Sequence, residues 1–202
     1  GAIADDPHVP AVARNAEKER EEALLNVERP SMYRIFMKDA GPAAIAVALP
    51  NDFNYCWDAG NGRLRYVWTG DFVDATGLWR SNGNGFANVM GEKIWESLPG
   101  EKQLGVQIGE PSPKSYQFRG YDLINGAPSF RYEVDGVAIT ETLSASKEAG
   151  SWSFTVDSPD DDVRILGPKS TDATLSSPLG QRDGDWWVIP QEQASEFTLT
   201  LK

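Results

Sequence analysis

The residues of this chain that bear chemistry are one misplaced glutamate, a scatter of aspartates and seven tryptophans in 202 residues. From Phe130 to Leu143, Phe130, Tyr132, Val134, Val137, Ile139 and Leu143 share one face of an alternating pattern, while Arg131, Glu133 and Thr140 lie on the other. Glu141 breaks the parity and falls on the apolar face between Ile139 and Leu143. Burial disfavours the charged form of a carboxyl and raises its pKa, which is how general acids are made. The plainer reading pairs Glu141 with Arg131 or Arg119, or leaves it at a wet sheet edge. Asp71 and Asp74, with Asp58 near them in sequence, are residue types that serve as paired carboxylates in glycoside hydrolysis. No motif sets their separation, and acidic residues are common in turns. A carboxylate enzyme would use Glu141 with Asp71 or Asp74.

The tryptophans suggest a different chemistry. Trp57, Trp68 and Trp79 stand near Asp58, Arg65, Asp71, Asp74, Arg80 and Asn82 in sequence, so flat apolar rings are mixed with planar hydrogen-bonding groups. Sugars are held in this way, with their C–H faces on a ring and their hydroxyls on carboxylate, guanidinium and amide. The competing reading is a core of cross-strand aromatic pairs. Asp157, Asp160, Asp161 and Asp162, in the run DSPDDD, carry oxygen ligands suited to calcium but lack the spacing of an EF-hand loop. A solvated acidic turn explains them equally well.

Several classes are disfavoured. Cys56 is the one cysteine, which leaves no intrachain disulfide, CxxC knuckle or CxxCH haem site, and a buried strand thiol is its simplest role. His8 is the one histidine and lies in a segment with the composition of a flexible tail, so Ser-His-Asp and Cys-His catalysis lack a base. No cofactor is expected. A net charge of −11 repels nucleic acid and anionic membrane. No apolar run approaches the roughly 20 residues that span a bilayer. The chain opens Gly1-Ala2-Ile3 without a methionine, as a processed or trimmed chain would, and no targeting sequence is legible.

These residues need a scaffold to position them, and the pattern predicts an all-β one. Phe53–Asp58 and Arg63–Trp68 alternate around Ala59-Gly60-Asn61-Gly62, a hairpin signal. Either a two-residue or a four-residue loop puts the aromatics on one face and Asn54, Cys56, Asp58, Arg63 and Arg65 on the other. Before this hairpin, Ile45, Val47 and Leu49 alternate with Ala44, Ala46 and Ala48, as in an interior strand. After it, Thr69-Gly70-Asp71 is expected to turn the chain. Between Phe86 and Gly105 the signal weakens, and Gly91-Glu92-Lys93-Ile94-Trp95 reads as either a short helix or a strand. Gly120, at a phase change between Tyr116/Phe118 and Tyr121/Leu123, suggests a bulge. Asn125-Gly126 and Asp135-Gly136 read as turns. Further strands are expected at Trp152–Val156, Val163–Leu166, Trp186–Ile189 and Phe197–Leu201. The fold class is therefore a mainly antiparallel β-sandwich over residues 31–202, with a tail and one N-terminal helix in residues 1–30. That helix, Ala11–Glu28, has a thin apolar stripe suited to docking on its own domain or on a protein partner.

The runs DAGPAAIAV, YCWDA with LRYVW and GDF, and FRGY with FRYEVDG span roughly Pro30 to Leu143. They resemble a module in large secreted proteins of Planctomycetes, Verrucomicrobia and Bacteroidetes, proteins similar to cytochrome c fusions with sorbosone or glucose dehydrogenase-like propellers. The resemblance implies export to the periplasm or cell exterior, in a setting of sugar oxidation or polysaccharide use. It also implies a non-catalytic accessory β domain, and it transfers no catalytic motif. Taken together, the expectation is an exported binding module with carbohydrate as its favoured ligand. A carboxylate enzyme and a structural or docking domain are the alternatives.

Overall fold

In the computed structural model, residues 27–80, 85–97, 103–109, 115–145, 149–169 and 174–202 are described. Every strand pairing among them is antiparallel, and three sheets form. The first is a meander of β1 (Ser31–Arg34), β2 (Ala44–Leu49), β3 (Phe53–Asp58), β4 (Arg63–Asp74) and β5 (Asn88–Glu96), with the short helix α1 (Thr76–Arg80) between the last two. After β6 (Val106–Ile108) comes a second meander of β7 (Tyr116–Ile124), β8 (Ala127–Val134), β9 (Val137–Ala145) and β10 (Gly150–Val156). Then follow β11 (Val163–Leu166), β12 (Leu175–Ser176), β13 (Gln181–Asp183), β14 (Trp186–Ile189) and β15 (Glu196–Leu201). The six-stranded sheet runs β12-β15-β10-β9-β8-β7, and the four-stranded sheet runs β13-β14-β11-β6.

The all-β expectation holds, and the sheets meet in a sandwich-like arrangement. Ile45, Val47, Tyr55 and Trp57 of the first sheet, Phe130, Tyr132, Leu143 and Trp152 of the second, and Val163, Ile165 and Ile189 of the third share one buried cluster. Period-two alternation explains this, because each strand turns its large residues to one side. The strand β2 is interior, as its small face predicts. Its alanines lie in a second buried cluster with Met37, Cys56, Tyr66, Trp68 and Phe72. Burial pushes the Cys56 thiol up to about 12, so it packs as an inert apolar group.

Four expectations are refined or corrected. The expected helix at Ala11–Glu28 lies outside the described residues except for Val27 and Glu28, which are not helical, and the tail before it lies outside them too. The chain does not turn at Thr69–Asp71, since β4 runs through to Asp74 with Gly70 at φ 103°. The ambiguous stretch Gly91–Trp95 is strand, inside β5. The largest correction concerns the hairpin β3–β4. Its loop is the four-residue one, with Asp58 opposite Arg63 and Trp57 opposite Leu64. A bulge at Arg65 then shifts the register by one residue, so that Cys56 faces Tyr66 and Asn54 faces Trp68. One extra residue reverses parity. Trp57 and Trp68 therefore enter different clusters, on opposite faces of one sheet. At Gly120 the expected bulge is present, between Phe118 and Gly120.

The chain enters this sheet through Arg29, whose Nη1 donates to the Leu49 carbonyl and to Asn54 Oδ1, both at 2.7 Å. Its Nη2 reaches the Gly70 carbonyl at 3.3 Å. Fully buried Asn54 in turn donates to the carbonyls of Asp52 and Gly70. One guanidinium thus ties the β2–β3 turn to the middle of β4.

Candidate functional site

Glu141 lies in the core, as its parity predicts, and is 2% exposed. Neither expected arginine pairs with it: Arg119 bonds Glu133 at 2.8 and 3.0 Å, and Arg131 pairs with Asp122 at 2.9 Å. Instead the indole N–H groups of Trp57 and Trp152 donate to Oε1 at 2.9 and 2.8 Å, and the Tyr132 hydroxyl donates to Oε2 at 2.7 Å. Burial pushes the carboxyl up and these three hydrogen bonds pull it down, leaving it at about 7. Burial and the Glu141 charge together raise the pKa of the Tyr55 and Tyr116 hydroxyls. The bond from Trp57 crosses from β3 to β9, so the carboxyl pins one sheet to the other. Sequence parity located Glu141, whereas its donors sit on three other strands and carried no local signal.

The other candidate carboxylates do not join it. Asp71 is exposed, and Asp74 Oδ1 accepts the Thr76 backbone N–H at 2.8 Å at the start of α1. Trp57 and Trp68 are 1% and 0% exposed, so neither ring is a surface on which a ligand could stack. Trp68 Nε1 donates to the carbonyls of Asp71 and Phe72, both at 3.0 Å. Trp79 and Arg80 contribute backbone to α1, and Asn82 lies outside the described residues. In the acidic run, Asp157 accepts the Ser158 hydroxyl, Asp161 accepts the Asp162 N–H, and Asp162 accepts the Gln191 N–H at 3.0 Å. Among the described residues, no three His, Cys, Asp or Glu side chains gather as a metal site.

Asp58 and Arg65 do come together, at a cleft of about 1030 Å³ lined also by Lys38, Asp39, Asn61, Phe86, Asn88, Glu96, Ser97 and Lys169. Register shifts between β4 and β5 at Val67/Trp68 and Asp71/Val73 bend this pair. Both ends of β5, Asn88 and Glu96, consequently line the same cleft. Asp58 is held rigidly at one wall, where its Oδ1 accepts the Gly60 N–H at 2.9 Å and its Oδ2 accepts the Asn61 side-chain amide at 2.8 Å. Gly41 permits this packing, because a Cβ there would stand 2.5 Å from Asp58 Oδ2. Arg65 projects from the bulge and donates to the Asp39 carbonyl at 2.6 Å. Arg63, buried behind the wall, donates to Ser97 Oγ at 3.0 Å. Burial and the nearby Arg65 lower its pKa to about 10, against the opposing pull of Asp58.

Sequence spacing missed Lys38, Phe86, Asn88, Glu96 and Lys169, which are far apart in the chain and fall in no motif. Two backbone bonds bring these segments to β5 and its approach: Lys38 N–H to the Ala87 carbonyl at 3.1 Å, and Lys169 N–H to the Glu96 carbonyl at 2.7 Å. The Phe86 ring, half exposed, gives the cleft a flat apolar surface among donors and acceptors. Family models, curated proteins and solved structures offer no match to this chain, and the chemistry of the cleft rests on its own residues.

Proposed function

We propose that the chain is a non-catalytic binding module that takes a saccharide in the cleft beside Asp58, Arg65 and Phe86. The observation that carries this reading is the make-up of the cleft wall. Carboxylate, guanidinium, amide, hydroxyl and ammonium groups surround one exposed aromatic ring, and a sugar offers the complementary hydroxyls and C–H face. Compared with the expectation from sequence, the ligand class is kept while the aromatic contact moves from the sealed tryptophans to Phe86. The resemblance to modules of secreted proteins near sugar chemistry favours the same ligand class and an exported location.

Calorimetric titration against a panel of neutral and acidic oligosaccharides tests the proposal. Saturable binding is expected with at least one of them, weakened about tenfold or more in Phe86→Ala. Because Phe86 is half exposed, the variant should keep the wild-type denaturation midpoint. Absence of saturable heat with every sugar would overturn the reading. A docking domain would then be favoured by the tip of the β7–β8 hairpin, where Tyr121, Leu123 and Ile124 are exposed.

A further inference from the structure

Charge in the cleft is not balanced once internal pairings are followed. Three cationic side chains line it, Lys38, Arg65 and Lys169, with three carboxylates, Asp39, Asp58 and Glu96. Glu96 is paired with Lys93, which lies outside the lining, at 3.5 Å. Asp58 has both oxygens engaged by Gly60 and Asn61 and faces buried Arg63 across the hairpin. Setting Glu96 aside with Lys93 leaves three cations against Asp39 and Asp58, a local excess of one positive charge. Among the described residues, the Lys38 and Lys169 ammonium groups have no hydrogen-bond or ion-pair partner. Such a pair is conspicuous in a chain of net charge −11, where acidic partners outnumber basic groups. At physiological salt, charges more than about 8 Å away are largely screened, so the wall of the cleft outweighs the acidic surface beyond it.

We infer that the cleft is selective for an anionic saccharide, one carrying a uronate carboxylate or a sulfate ester that Lys38 and Lys169 bind. This inference rests on the saccharide reading of the same cleft. Point-charge ammonium groups recognise either anion, while the neutral part of the sugar meets Phe86, Asn61 and Asn88.

The test is calorimetry with three oligosaccharides of equal length: a neutral galactan, an oligogalacturonate and a sulfated galactan. At least one anionic chain should bind tenfold or more tightly than the neutral one, and comparison of the two identifies the preferred anion. Raising salt from about 0.05 to 0.5 M should shrink the gap, as for any exposed charge contact. Both lysines are exposed, so the double variant Lys38→Gln/Lys169→Gln should fold normally and lose the preference, binding neutral and anionic chains alike. Equal binding of neutral and anionic chains by the wild-type protein would overturn the inference and leave the saccharide reading standing. A preference that survives in the double variant would also overturn it. Binding of none of the three, nor of any other sugar, would overturn both.

Discussion

Relative to Glu141→Gln, the wild-type protein should lose about 3 kcal/mol of stability as pH rises from about 4.5 to above 7. The sign follows from the raised carboxyl. Folded Glu141 titrates at about 7 against an ordinary value of 4.5, so over this window the folded state binds more protons than the unfolded chain. Stability from this group is fully present below about 4.5 and is lost as pH climbs through 7. The difference of about two and a half pKa units gives the magnitude. Glutamine keeps an acceptor oxygen for the two indoles but cannot titrate, so the difference between the two proteins isolates Glu141 from other ionisable groups. Urea denaturation of both proteins at pH 4.5, 6, 7 and 8 reads it directly. Parallel stability curves would mean that the carboxyl is not held near neutrality. Glu141→Leu should be costlier, because two indole N–H groups and one phenol lose their acceptor in a dry core. Each orphaned donor costs about 1–3 kcal/mol, for a total on the order of 4 kcal/mol.

Truncating Trp57 should cost about 3–5 kcal/mol, a large share of the 5–15 kcal/mol typical of a whole domain. Its ring stacks on Phe130 with centroids 4.0 Å apart and planes within 2°, and it meets Phe118 and Tyr132 at 5.6 and 5.8 Å. Alanine leaves a cavity between the first two sheets and removes one donor from Glu141. Thermal denaturation followed by circular dichroism should show a fall of about 10 °C or loss of the cooperative transition. Trp57→Phe separates the two contributions. It keeps one aromatic ring for stacking and removes the N–H with the rest of the bicycle, so the ionised carboxyl loses a hydrogen bond and the Glu141 titration should move above 7. A Trp57→Ala protein with wild-type stability that had lost only sugar binding would return the site to the hairpin and refute the core assignment.

The two carboxylates show how much of the site was legible in the sequence. Glu141 stood out because period-two alternation is a local rule, and a charged residue on the wrong parity is visible without coordinates. Its partners were not visible, since Trp57, Tyr132 and Trp152 reach it from different strands and the arginines nearest in pattern are taken up by Glu133 and Asp122. Asp58 is marked in the sequence only by its neighbours. It lines the cleft with Arg65 because a bulge and a glycine let the hairpin close beside the segment Lys38–Pro42.

By itself, the sequence determined the all-β class, the interior position of β2, the turns at Asn125-Gly126 and Asp135-Gly136, the bulge at Gly120 and the wrong-faced Glu141. All of these follow from dihedral preferences and side-chain parity within a few residues. Only the tertiary structure decided which aromatics are sealed, because the single extra residue at Arg65 sends Trp68 to the opposite face from Trp57. The cleft, too, was decided only in three dimensions. It forms where a bent β4–β5 pair gathers Lys38, Phe86 and Lys169 from separate parts of the chain, and no local pattern encodes such a meeting.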